Sequence, residues 1–567
     1  MDKHQIHPKR EFDSIRGVVE YAAKTYGNKT AFSYRLRPTD KEKVNISYIE
    51  FRDDVRALAS EMLFRGMQGK HIVVVGKMSY DFAVSYYATL LIGAVLIPLD
   101  KDWSAADLAD TAKNADIDYL FIDAELSDKV EELSGICELD TPVVFLGGKG
   151  EQALSSLIAA GRAKFAEDRR PYFDIDFDNR QLSLLVYTSG TTGKGKGVML
   201  CTDSIIRDMA AVAPYINFAQ KTVSVLPPHH TYGSSVMLLA HVMIGTEVYI
   251  SDGIKHVVKE LKAEQPGHLV LVPLYLETFY RKIQANLKNQ GKEKLVKNMM
   301  KVSDAARKAT FGVVDIRKKV FAQIRAAFGD EIKTIISGGA PINQDIISFF
   351  EGVGISVLNG YGITECAPII SVNRSRNVVR GSVGNVLDVN DVKIDEPNLD
   401  GEGEICVKGP NVMLGYYKNE EATREAFDED GYFRTGDYGK LTEDGVLYIT
   451  GRKKNLIILS NGKNVYPEEI ESELVSVPGV QDIIVYEGKS RRGIEHNAIV
   501  AEIFPDKEYI EKNGITDVKA YLYEYVTEYN KTAVPYKKIA VLKVRKEDFP
   551  KNTLRKIMRF KLDMSID

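Results

Sequence analysis

Glycine, serine, threonine and lysine are concentrated in one segment, residues 187–200, with the sequence YTSGTTGKGKGVML. It follows an apolar run, LSLLV, that is typical of a buried strand. Glycines let the backbone approach an anion closely, and consecutive N–H groups and hydroxyls can then surround phosphate oxygens. The lysines at positions 194 and 196 add positive charge. The pattern predicts a phosphate-binding loop.

The same segment matches the first part of a Walker A motif, because residues 190–196 read G-x-x-x-x-G-K. That motif continues with Ser or Thr, which holds Mg²⁺, whereas this chain has Gly197. A partner strand ending in a metal-binding aspartate is not evident. A Walker-type P-loop NTPase therefore stays open as an alternative from a different class of protein.

Further segments contain side chains suited to a nucleotide or an acid. They are LPPHHTYG at 226–233, SGGAP at 337–341, NGYGITECAP at 359–368, TGD at 435–437, GRKKN at 451–455 and PKNTLRKIMR at 550–559. The two histidines at 229 and 230 have no third ligand at metal spacing, which argues against zinc.

Together these segments resemble the motifs of the adenylate-forming (AMP-binding) superfamily, which includes acyl-CoA synthetases, luciferases and adenylation domains. The glycine-rich segment is similar to the family pattern YTSGTTGxPKGV, with Gly195 where proline is usual. The similarity is greatest to long-chain fatty acyl-CoA synthetases. It implies an AMP-forming acid–thiol ligase that uses ATP, Mg²⁺ and coenzyme A.

The resemblance also implies roles for individual residues. The catalytic residues are expected to be Lys556, Glu365, Thr364 and His230, and Glu365 is also the expected metal ligand. ATP and AMP are expected to contact Thr188, Ser189, Gly190, Thr191, Thr192, Gly193, Lys196, Gly338, Gly339, Asn359, Gly360, Tyr361, Gly362, Asp437 and Arg452. Lys454 takes the hinge position, and the coenzyme A loop contains Asn461, Gly462, Lys463 and Asn464. Leu554 and Arg555 depart from the family pattern before the catalytic lysine.

The expected acid is a medium- or long-chain fatty acid, because residues 320–341 and the basic insert before them resemble the long-chain enzymes. An aryl or short-chain acid–CoA ligase and an acyl–acyl-carrier-protein synthetase of the same superfamily stay open as alternatives. Because the chain ends soon after Lys556, without a fused carrier domain, free coenzyme A is the expected acceptor.

The elements that must position these residues follow from the rest of the sequence. At 567 residues the chain is too long for one core, since domains usually contain ~100–200 residues. Apolar strands alternate with helices in the first half, which predicts parallel sheets covered on both faces. From residue 401, short strands and glycine-rich turns predict a β-rich subdomain.

We therefore expect an α/β fold with two domains. Residues 1–452 are predicted to form a large N-terminal adenylation domain of two α/β subdomains with parallel-rich sheets plus the β-rich subdomain. Residues 453–567 are predicted to form a small, mobile C-terminal α/β domain. Among individual elements, helices are predicted at 81–91 and 105–114, strands at 119–123 and 143–146, and one amphipathic helix through Ile316, Val320, Ile324 and Phe328.

Residues 281–325 contain 13 Lys and Arg against 3 Asp and Glu. This basic segment is either a solvated helical pair or a patch that meets anionic lipid headgroups. Overall the net charge is −4, so no basic field for nucleic acid is expected. The apolar content of 44% is globular and excludes a disordered chain.

The four cysteines lie far apart without a CxxC pair, which argues against a disulfide framework. The N-terminus is polar, without a secretory signal, and the longest apolar stretch, 235–250, is shorter than the ~20 residues of a membrane span. We expect a cytoplasmic protein with peripheral membrane contact through the basic segment. Its expected partners are a carboxylic acid, ATP and CoA, and its oligomeric state stays open.

Overall fold

A computed structural model describes residues 3–137, 141–188, 195–310, 315–459, 464–488, 498–551 and 557–566, without the side chains of residues 134–137 and 560. Within these ranges the strands are β1 (Thr30–Tyr34), β2 (Val44–Ser47), β3 (His71–Val75), β4 (Val95–Leu99), β5 (Tyr119–Asp123), β6 (Val143–Leu146), β7 (Leu182–Thr188), β8 (Lys196–Cys201), β9 (Lys221–Ser224), β10 (Glu247–Ile250), β11 (His268–Leu271), β12 (Thr334–Ser337), β13 (Ser356–Gly362), β14 (Ile369–Val372), β15 (Asn385–Val386), β16 (Asp391–Asp395), β17 (Gly403–Lys408), β18 (Gly415–Tyr416), β19 (Phe433–Leu441), β20 (Leu447–Arg452), β21 (Ile457–Ile458), β22 (Asn464–Val465), β23 (Val480–Gly488), β24 (Ala498–Pro505) and β25 (Val541–Val544).

The α-helices in the same ranges are α1 (Ile15–Tyr26), α2 (Tyr48–Phe64), α3 (Tyr80–Leu91), α4 (Ala105–Asn114), α5 (Ser127–Cys137), α6 (Leu154–Glu167), α7 (Arg170–Phe173), α8 (Thr202–Val212), α9 (His241–Ile244), α10 (Val257–Glu264), α11 (Pro273–Asn289), α12 (Glu293–Ala309), α13 (Arg317–Val320), α14 (Ala322–Arg325), α15 (Gln344–Gly352), α16 (Glu420–Ala426), α17 (Pro467–Leu474), α18 (Lys507–Lys512) and α19 (Val518–Thr532). A π-helix covers Tyr232–Ala240, and short 3₁₀ turns cover Thr364–Cys366 and Lys453–Asn455.

The largest sheet has seven strands in the order β18-β8-β7-β4-β3-β5-β6. Strands β3 to β7 run parallel, whereas β8 and β18 run antiparallel to their neighbours. Every residue of β4 is buried, as expected for an apolar strand covered on both faces. The glycine-rich segment leaves this sheet at the carboxyl end of β7, beside β4.

Two further sheets complete the α/β part of the chain. One has the order β2-β1-β10-β9 and the other β11-β12-β13-β14-β15. Strands β11, β12 and β13 are parallel, and Ser337 pairs with Asn359, so the glycines that follow β12 lie beside the end of β13. Parallel strands therefore bring the SGGAP and NGYG segments to one edge.

The β-rich subdomain expected after residue 401 is present. Strands β16, β17, β19 and β20 form an antiparallel sheet. In this sheet Asp437 of β19 is directly opposite Arg452 of β20. Cross-strand neighbours of this kind lie about 5 Å apart, which brings these two predicted site residues together.

The C-terminal residues have a separate core. Strands β23, β24 and β25 form a three-stranded sheet, and one hydrophobic cluster contains buried residues between Ile457 and Leu542 alone. The linker is short and polar, and Lys453 Nζ lies 2.6 Å from Glu404 Oε2 of the β-rich subdomain. The boundary between residues 452 and 453 stays a prediction.

The predicted α/β fold is thus confirmed, and several elements have the predicted bounds, including α4, β5 and β6. The single helix through residues 316–328 is wrong. α13 ends at Val320 and α14 starts at Ala322, because Phe321 leaves helical geometry at φ −108° and ψ 23°. The break lets Phe321 and Phe328 both enter the core, at 2% and 0% exposure. Within the described ranges, no helix is both long and apolar enough to cross a bilayer.

Candidate active site

The glycine-rich segment connects β7 and β8 as a hairpin. Thr188 is opposite Lys196, and the Thr188 Oγ1 hydroxyl donates to the Lys196 carbonyl at 3.4 Å. A Cβ at Gly195 would lie 2.6 Å from the Thr188 carbonyl oxygen, so this close approach requires glycine. The predicted ligands Ser189, Gly190, Thr191, Thr192 and Gly193 lie outside the described residues.

The hairpin also decides the Walker alternative. Lys196 is the first residue of strand β8, which runs antiparallel to β7. The lysine of a P-loop instead opens a helix that follows a parallel strand. The fold therefore does not fit a Walker-type P-loop NTPase.

Lys196 is linked to Glu365 through Tyr416, a residue that the sequence analysis missed. The ammonium of Lys196 lies 4.6 Å from the centre of the Tyr416 ring, within cation–π range. The Tyr416 hydroxyl donates to Glu365 Oε1 at 3.0 Å. Strand β18 positions Tyr416 by pairing with β8, a long-range contact that no local motif indicates.

Glu365 lies in the 3₁₀ turn that begins at Thr364, directly after β13. Burial raises the pKa of this carboxyl group, while the Tyr416 hydrogen bond and the charge of Arg452 oppose that shift. No group of three or more potential ligands surrounds a metal site within the described part of the chain. A single carboxylate still fits Mg²⁺, which usually binds one or two carboxylates, waters and substrate phosphates.

Glycines form the surface at the carboxyl ends of β12 and β13. A Cβ on Gly338 would lie 3.4 Å from the Gly360 carbonyl and 3.5 Å from the Tyr232 hydroxyl. Gly339 has φ +86°, which favours glycine, and a Cβ on Gly362 would collide with the Pro368 carbonyl at 1.8 Å. Larger side chains would fill this edge, so the glycines leave room for a planar ligand.

Asp437 joins the β-rich subdomain to this edge. Its Oδ2 accepts a hydrogen bond from the Tyr361 hydroxyl at 2.8 Å, and its Oδ1 lies 3.1 Å from Arg452 Nε. Asp437 is 4% exposed, whereas the Arg452 side chain is 48% exposed. Burial and the neighbouring Asp437 carboxylate raise the pKa of Tyr361 well above its usual value. Three residues predicted from separate motifs therefore form one cluster.

Asn359 and the turn after it are held by buried polar contacts. The Asn359 side-chain amide donates to the Ser382 carbonyl at 3.4 Å. Further along, Asp208 of α8 accepts from the Ile369 N–H at 3.1 Å and from the Asn411 side-chain amide at 3.3 Å. Asn411 also donates to the Cys366 carbonyl at 3.1 Å. Asp208 and Asn411, both missed by the sequence analysis, thus fix the segment that contains Thr364 and Glu365.

Most of the chain matches the model of a known family. The AMP-binding enzyme family matches residues 19–417. The chain belongs to this family. The predicted membership and the prediction of an enzyme are confirmed.

The AMP-binding enzymes most similar in sequence include the long-chain-fatty-acid–CoA ligase FadD15 of Mycobacterium bovis, 29% identical over 78% of this chain and 75% of that protein. The chloroplastic long-chain-fatty-acid–[acyl-carrier-protein] ligase AEE15 of Arabidopsis thaliana is 26% identical over 88% and 77%. Among solved structures, ATP-bound MatB from Rhodopseudomonas palustris has a TM-score of 0.73 at 24% identity, covering 96% of this chain and 97% of that one. The similarity to MatB shows that the two proteins share a fold.

His230 of the AMP-binding domain lies at the start of the π-helix, where its carbonyl accepts from the Ser234 N–H at 2.8 Å. Its ring centre is 4.1 Å from that of His229. Tyr232, also missed by the sequence analysis, places its hydroxyl 3.4 Å from the carbonyls of Leu271 and Ile336. Tyr232 therefore borders the same edge as Gly338, and His230 precedes it by two residues.

The predicted catalytic lysine, Lys556, lies outside the described residues, but the ends of its segment are placed. Lys551 and Ile557 form an antiparallel bridge, and Lys551 Nζ lies 2.7 Å from Asp482 Oδ2. Close by, the Arg281 guanidinium of α11 donates to the Val480 carbonyl at 3.2 Å. Helix α11 starts directly after β11, so the base of this segment lies along a helix that begins at the candidate site.

The hinge and the coenzyme A loop are described in part. Lys454 lies in the 3₁₀ turn after β20, and burial together with the charge of Arg452 lowers its pKa. Asn464 opens the short strand β22. Asn461, Gly462 and Lys463 lie outside the described residues.

Proposed function

We propose that this AMP-binding enzyme is an ATP-dependent, AMP-forming ligase that joins a medium- or long-chain fatty acid to coenzyme A through an acyl-adenylate. The observation that supports it most is the Lys196–Tyr416–Glu365 link beside the Tyr361–Asp437–Arg452 cluster. The first link suits the phosphates of ATP and the second suits its nucleoside. Both lie where the strands of the large domain end.

In the first step, the substrate carboxylate attacks the α-phosphorus of ATP and pyrophosphate leaves. Two anions must approach each other, so catalysis depends on charge neutralisation and alignment. The glycine-rich hairpin and Lys196 would bind the phosphate oxygens, and Asp437 would accept hydrogen bonds from the ribose hydroxyls. Mg²⁺ held by Glu365 would supply charge neutralisation at the phosphates.

Lys556 would supply the last positive charge, between the carboxylate and the α-phosphate. The segment that contains Lys556 starts beside α11. In this helix burial raises the pKa of Glu277, and the Asp482 carboxylate raises it further. At a rise of about 1.5 Å per residue, Glu277 is about 6 Å from the start of α11. This separation supports a short reach from the base of the segment to the candidate site.

In the second step, the thiol of coenzyme A attacks the adenylate carbonyl and AMP leaves. Lys556 would then obstruct the thiol, so we propose that residues 453–567 rotate about Lys454 and present the loop from Asn461 to Asn464. Among the described residues, polar contacts that such a rotation would break include the bond from Arg281 to Val480 and the bond from the Asn343 side chain to the Ser472 carbonyl.

The fatty-acid substrate is supported by relatives of this chain that are named long-chain-fatty-acid–CoA ligases. A second candidate function is transfer to an acyl carrier protein. It is favoured by AEE15, whose name states that acceptor and which aligns over 88% of this chain.

A product assay tests the proposal. ATP, acid and CoA are mixed with the protein, and AMP, pyrophosphate and ADP are separated by chromatography. AMP and pyrophosphate in equal amounts are expected, with fatty acids of a chain-length panel preferred over acetate and benzoate. Replacing CoA by acyl carrier protein separates the two candidate acceptors. Formation of ADP, or turnover of aryl acids alone, would contradict the proposal.

We also propose that α12 contacts an anionic membrane surface, from which a fatty acid could enter. Its Leu295 and Val302 are 55% and 66% exposed, in a segment with 13 basic and 3 acidic residues. Basic residues near anionic lipid contribute about 1 kcal/mol each. Co-sedimentation with phosphatidylglycerol-containing vesicles, and not with pure phosphatidylcholine, is expected. Leu295→Asp with Val302→Asp should weaken it, whereas Leu399→Asp, at an exposed site in the β-rich subdomain, should not.

A further inference from the structure

A buried acidic residue with a histidine partner lies beside the candidate site and has no role in adenylate formation. Asp100 follows β4 directly and is 2% exposed. Its Oδ2 lies 3.5 Å from Nε2 of His229, and its Oδ1 accepts from the Asp102 N–H at 3.0 Å. In the part of the chain that the structure describes, His229 is the one basic side chain within 4.0 Å of this carboxylate.

The Asp100–His229 pair lies close to elements that lead into the candidate site. Strand β4 is the neighbour of β7, which leads into the glycine-rich hairpin. The centre of the His229 ring lies 4.1 Å from that of His230, one of the expected catalytic residues. Because Nε2 is buried, the 12% of the His229 side chain that is exposed belongs to the other atoms of the side chain. The Nε2 edge of the ring thus faces a carboxylate, and a small part of the side chain is exposed.

The second step of the proposed reaction releases a proton. A thiol has a pKa of about 8.5, so only a few per cent is thiolate at pH 7. A positioned base accelerates such a step by about 10²–10⁴-fold. Glu365, Asp437 and Lys196 are already assigned to the nucleotide and its cation, which leaves His229 as a base next to the expected catalytic residue His230.

We infer that His229, oriented by Asp100, accepts the thiol proton of the acceptor during acyl transfer, an inference that rests on the proposed function. The proton passes from sulfur to Nδ1 of the imidazole, the nitrogen that does not face Asp100, as the carbon–sulfur bond forms. The bond between the acyl carbon and the phosphate oxygen breaks, and AMP leaves with that electron pair. Asp100 stabilises the imidazolium, which returns the proton to water.

The charges around His229 are consistent with this role. Burial lowers its pKa below 6.5, while Asp100 and Asp102 oppose the shift and Lys101 adds to it. A lowered pKa keeps the imidazole neutral at pH 7, which is the form that can accept a proton. The distance of 3.5 Å to Asp100 is long for a hydrogen bond, as is common for catalytic pairs before substrate binds.

His229→Gln tests the inference in two half-reactions on the full-length protein. Acid-dependent exchange of pyrophosphate into ATP, without CoA, reports adenylation and is expected to stay within about 3-fold of wild type. Single-turnover transfer from preformed acyl-AMP to CoA is expected to fall about 10²-fold at pH 7. Asp100→Asn should give a smaller loss in the same step. His71→Gln, at the amino end of β3 and so at the opposite edge of the sheet, serves as the matched control.

The pH profile separates a base from a packing residue. Transfer by His229→Gln should rise about tenfold per pH unit up to the thiol pKa of about 8.5 and then approach wild type. An equal loss at every pH, an equal loss in both half-reactions, or no loss would each overturn the inference. Wild-type protein without acid-dependent exchange would instead refute the proposed function, which keeps the two failures distinct.

Discussion

The Tyr416 hydroxyl donates to Glu365 Oε1 at 3.0 Å, although 51 residues separate the two in sequence. The contact exists because β18 pairs with β8, which brings the end of one subdomain against the glycine-rich hairpin of another. It stabilises the ionised form of a carboxyl group whose pKa is raised by burial. Tyr416 thus favours the charged form of the proposed cation ligand.

Tyr416→Phe should lower the apparent affinity of the enzyme for Mg²⁺. Without the hydrogen bond, the pKa of Glu365 rises further, so less carboxylate is available as pH falls. Hydrogen bonds to charged groups contribute about 1.5–3 kcal/mol, which predicts a loss of roughly 10- to 100-fold in apparent Mg²⁺ affinity. Pyrophosphate release measured against Mg²⁺ at pH 6 and pH 8 tests this, and the deficit should be larger at pH 6. Tyr417→Phe is the control, since Tyr417 instead bonds Asp116.

Asp437→Asn should weaken ATP binding. The carboxylate is held by Tyr361 and Arg452, and the amide replaces a charged acceptor by a neutral one that also carries two donors. We expect the Kd for ATP to rise roughly 10- to 100-fold, measured by titration calorimetry. Asp395→Asn, which removes the ion pair with Arg434 in the same sheet, should leave the Kd near the wild-type value. Equal effects of the two variants would refute the ribose assignment.

Lys556→Ala should affect the two half-reactions differently. If Lys556 bridges the carboxylate and the α-phosphate, adenylation should fall about 10²–10³-fold. Transfer from preformed acyl-AMP to CoA should change little, because the lysine is then withdrawn. Lys546→Ala, an exposed lysine of the same C-terminal region, is the control. Undiminished adenylation in Lys556→Ala would remove the lysine from the mechanism.

The buried histidines His241 and His268 should make the protein sensitive to acid. His241 Nδ1 donates to the Val236 carbonyl, and His268 Nδ1 accepts from the Ala219 N–H, so His268 Nε2 donates to His241 Nε2 at 2.8 Å with both rings neutral. Burial lowers the pKa of His241 from 6.5 to about 4, which corresponds to roughly 3 kcal/mol that is present above pH 6.5 and lost as pH falls to about 4.

The measurement is Tm against pH for wild type and His241→Phe. Because the unfolded chain binds protons that the folded protein does not, wild-type Tm should fall steeply between pH 6.5 and 4. The variant should start lower, since His268 loses its acceptor, but its Tm should depend less on pH. A His71→Phe control should keep the wild-type slope, and an unchanged slope in His241→Phe would contradict the assignment.

Asp208→Ala should destabilise the segment that holds Thr364 and Glu365. It leaves the Ile369 N–H without its buried acceptor, at a cost of about 1–3 kcal/mol, whereas the Asn411 amide keeps the Cys366 and Ile369 carbonyls as acceptors. Urea unfolding should show that loss, with a larger Mg²⁺ requirement for pyrophosphate release. Asp208→Asn retains an acceptor oxygen and should cost less. Equal losses for the two variants would show that the acceptor is not what matters.

Several helices, strands and glycine positions could be predicted from the sequence because the signals for them are local. The strands β5 and β6 are short apolar runs, and α4 has helical spacing between clear boundaries, so their bounds were predicted correctly. The glycines at 338, 339 and 362 occur where the backbone must turn or pass close to another chain segment. The bounds of these strands and of α4 depend mainly on neighbouring residues, and glycine is a residue type that can be recognised without knowing which segment it approaches.

The tertiary structure decided what depends on distant residues. Phe321 interrupts the predicted helix because the core holds its ring, and Tyr416 and Asp208 reach the site through strand pairing and helix packing. Asp100 and His229 meet across two sheets whose order no local pattern contains. Residue types and spacing therefore determined which chemistry the chain can perform, whereas chain folding over hundreds of residues decided which side chains support it, since contact energies act through space and not along the sequence.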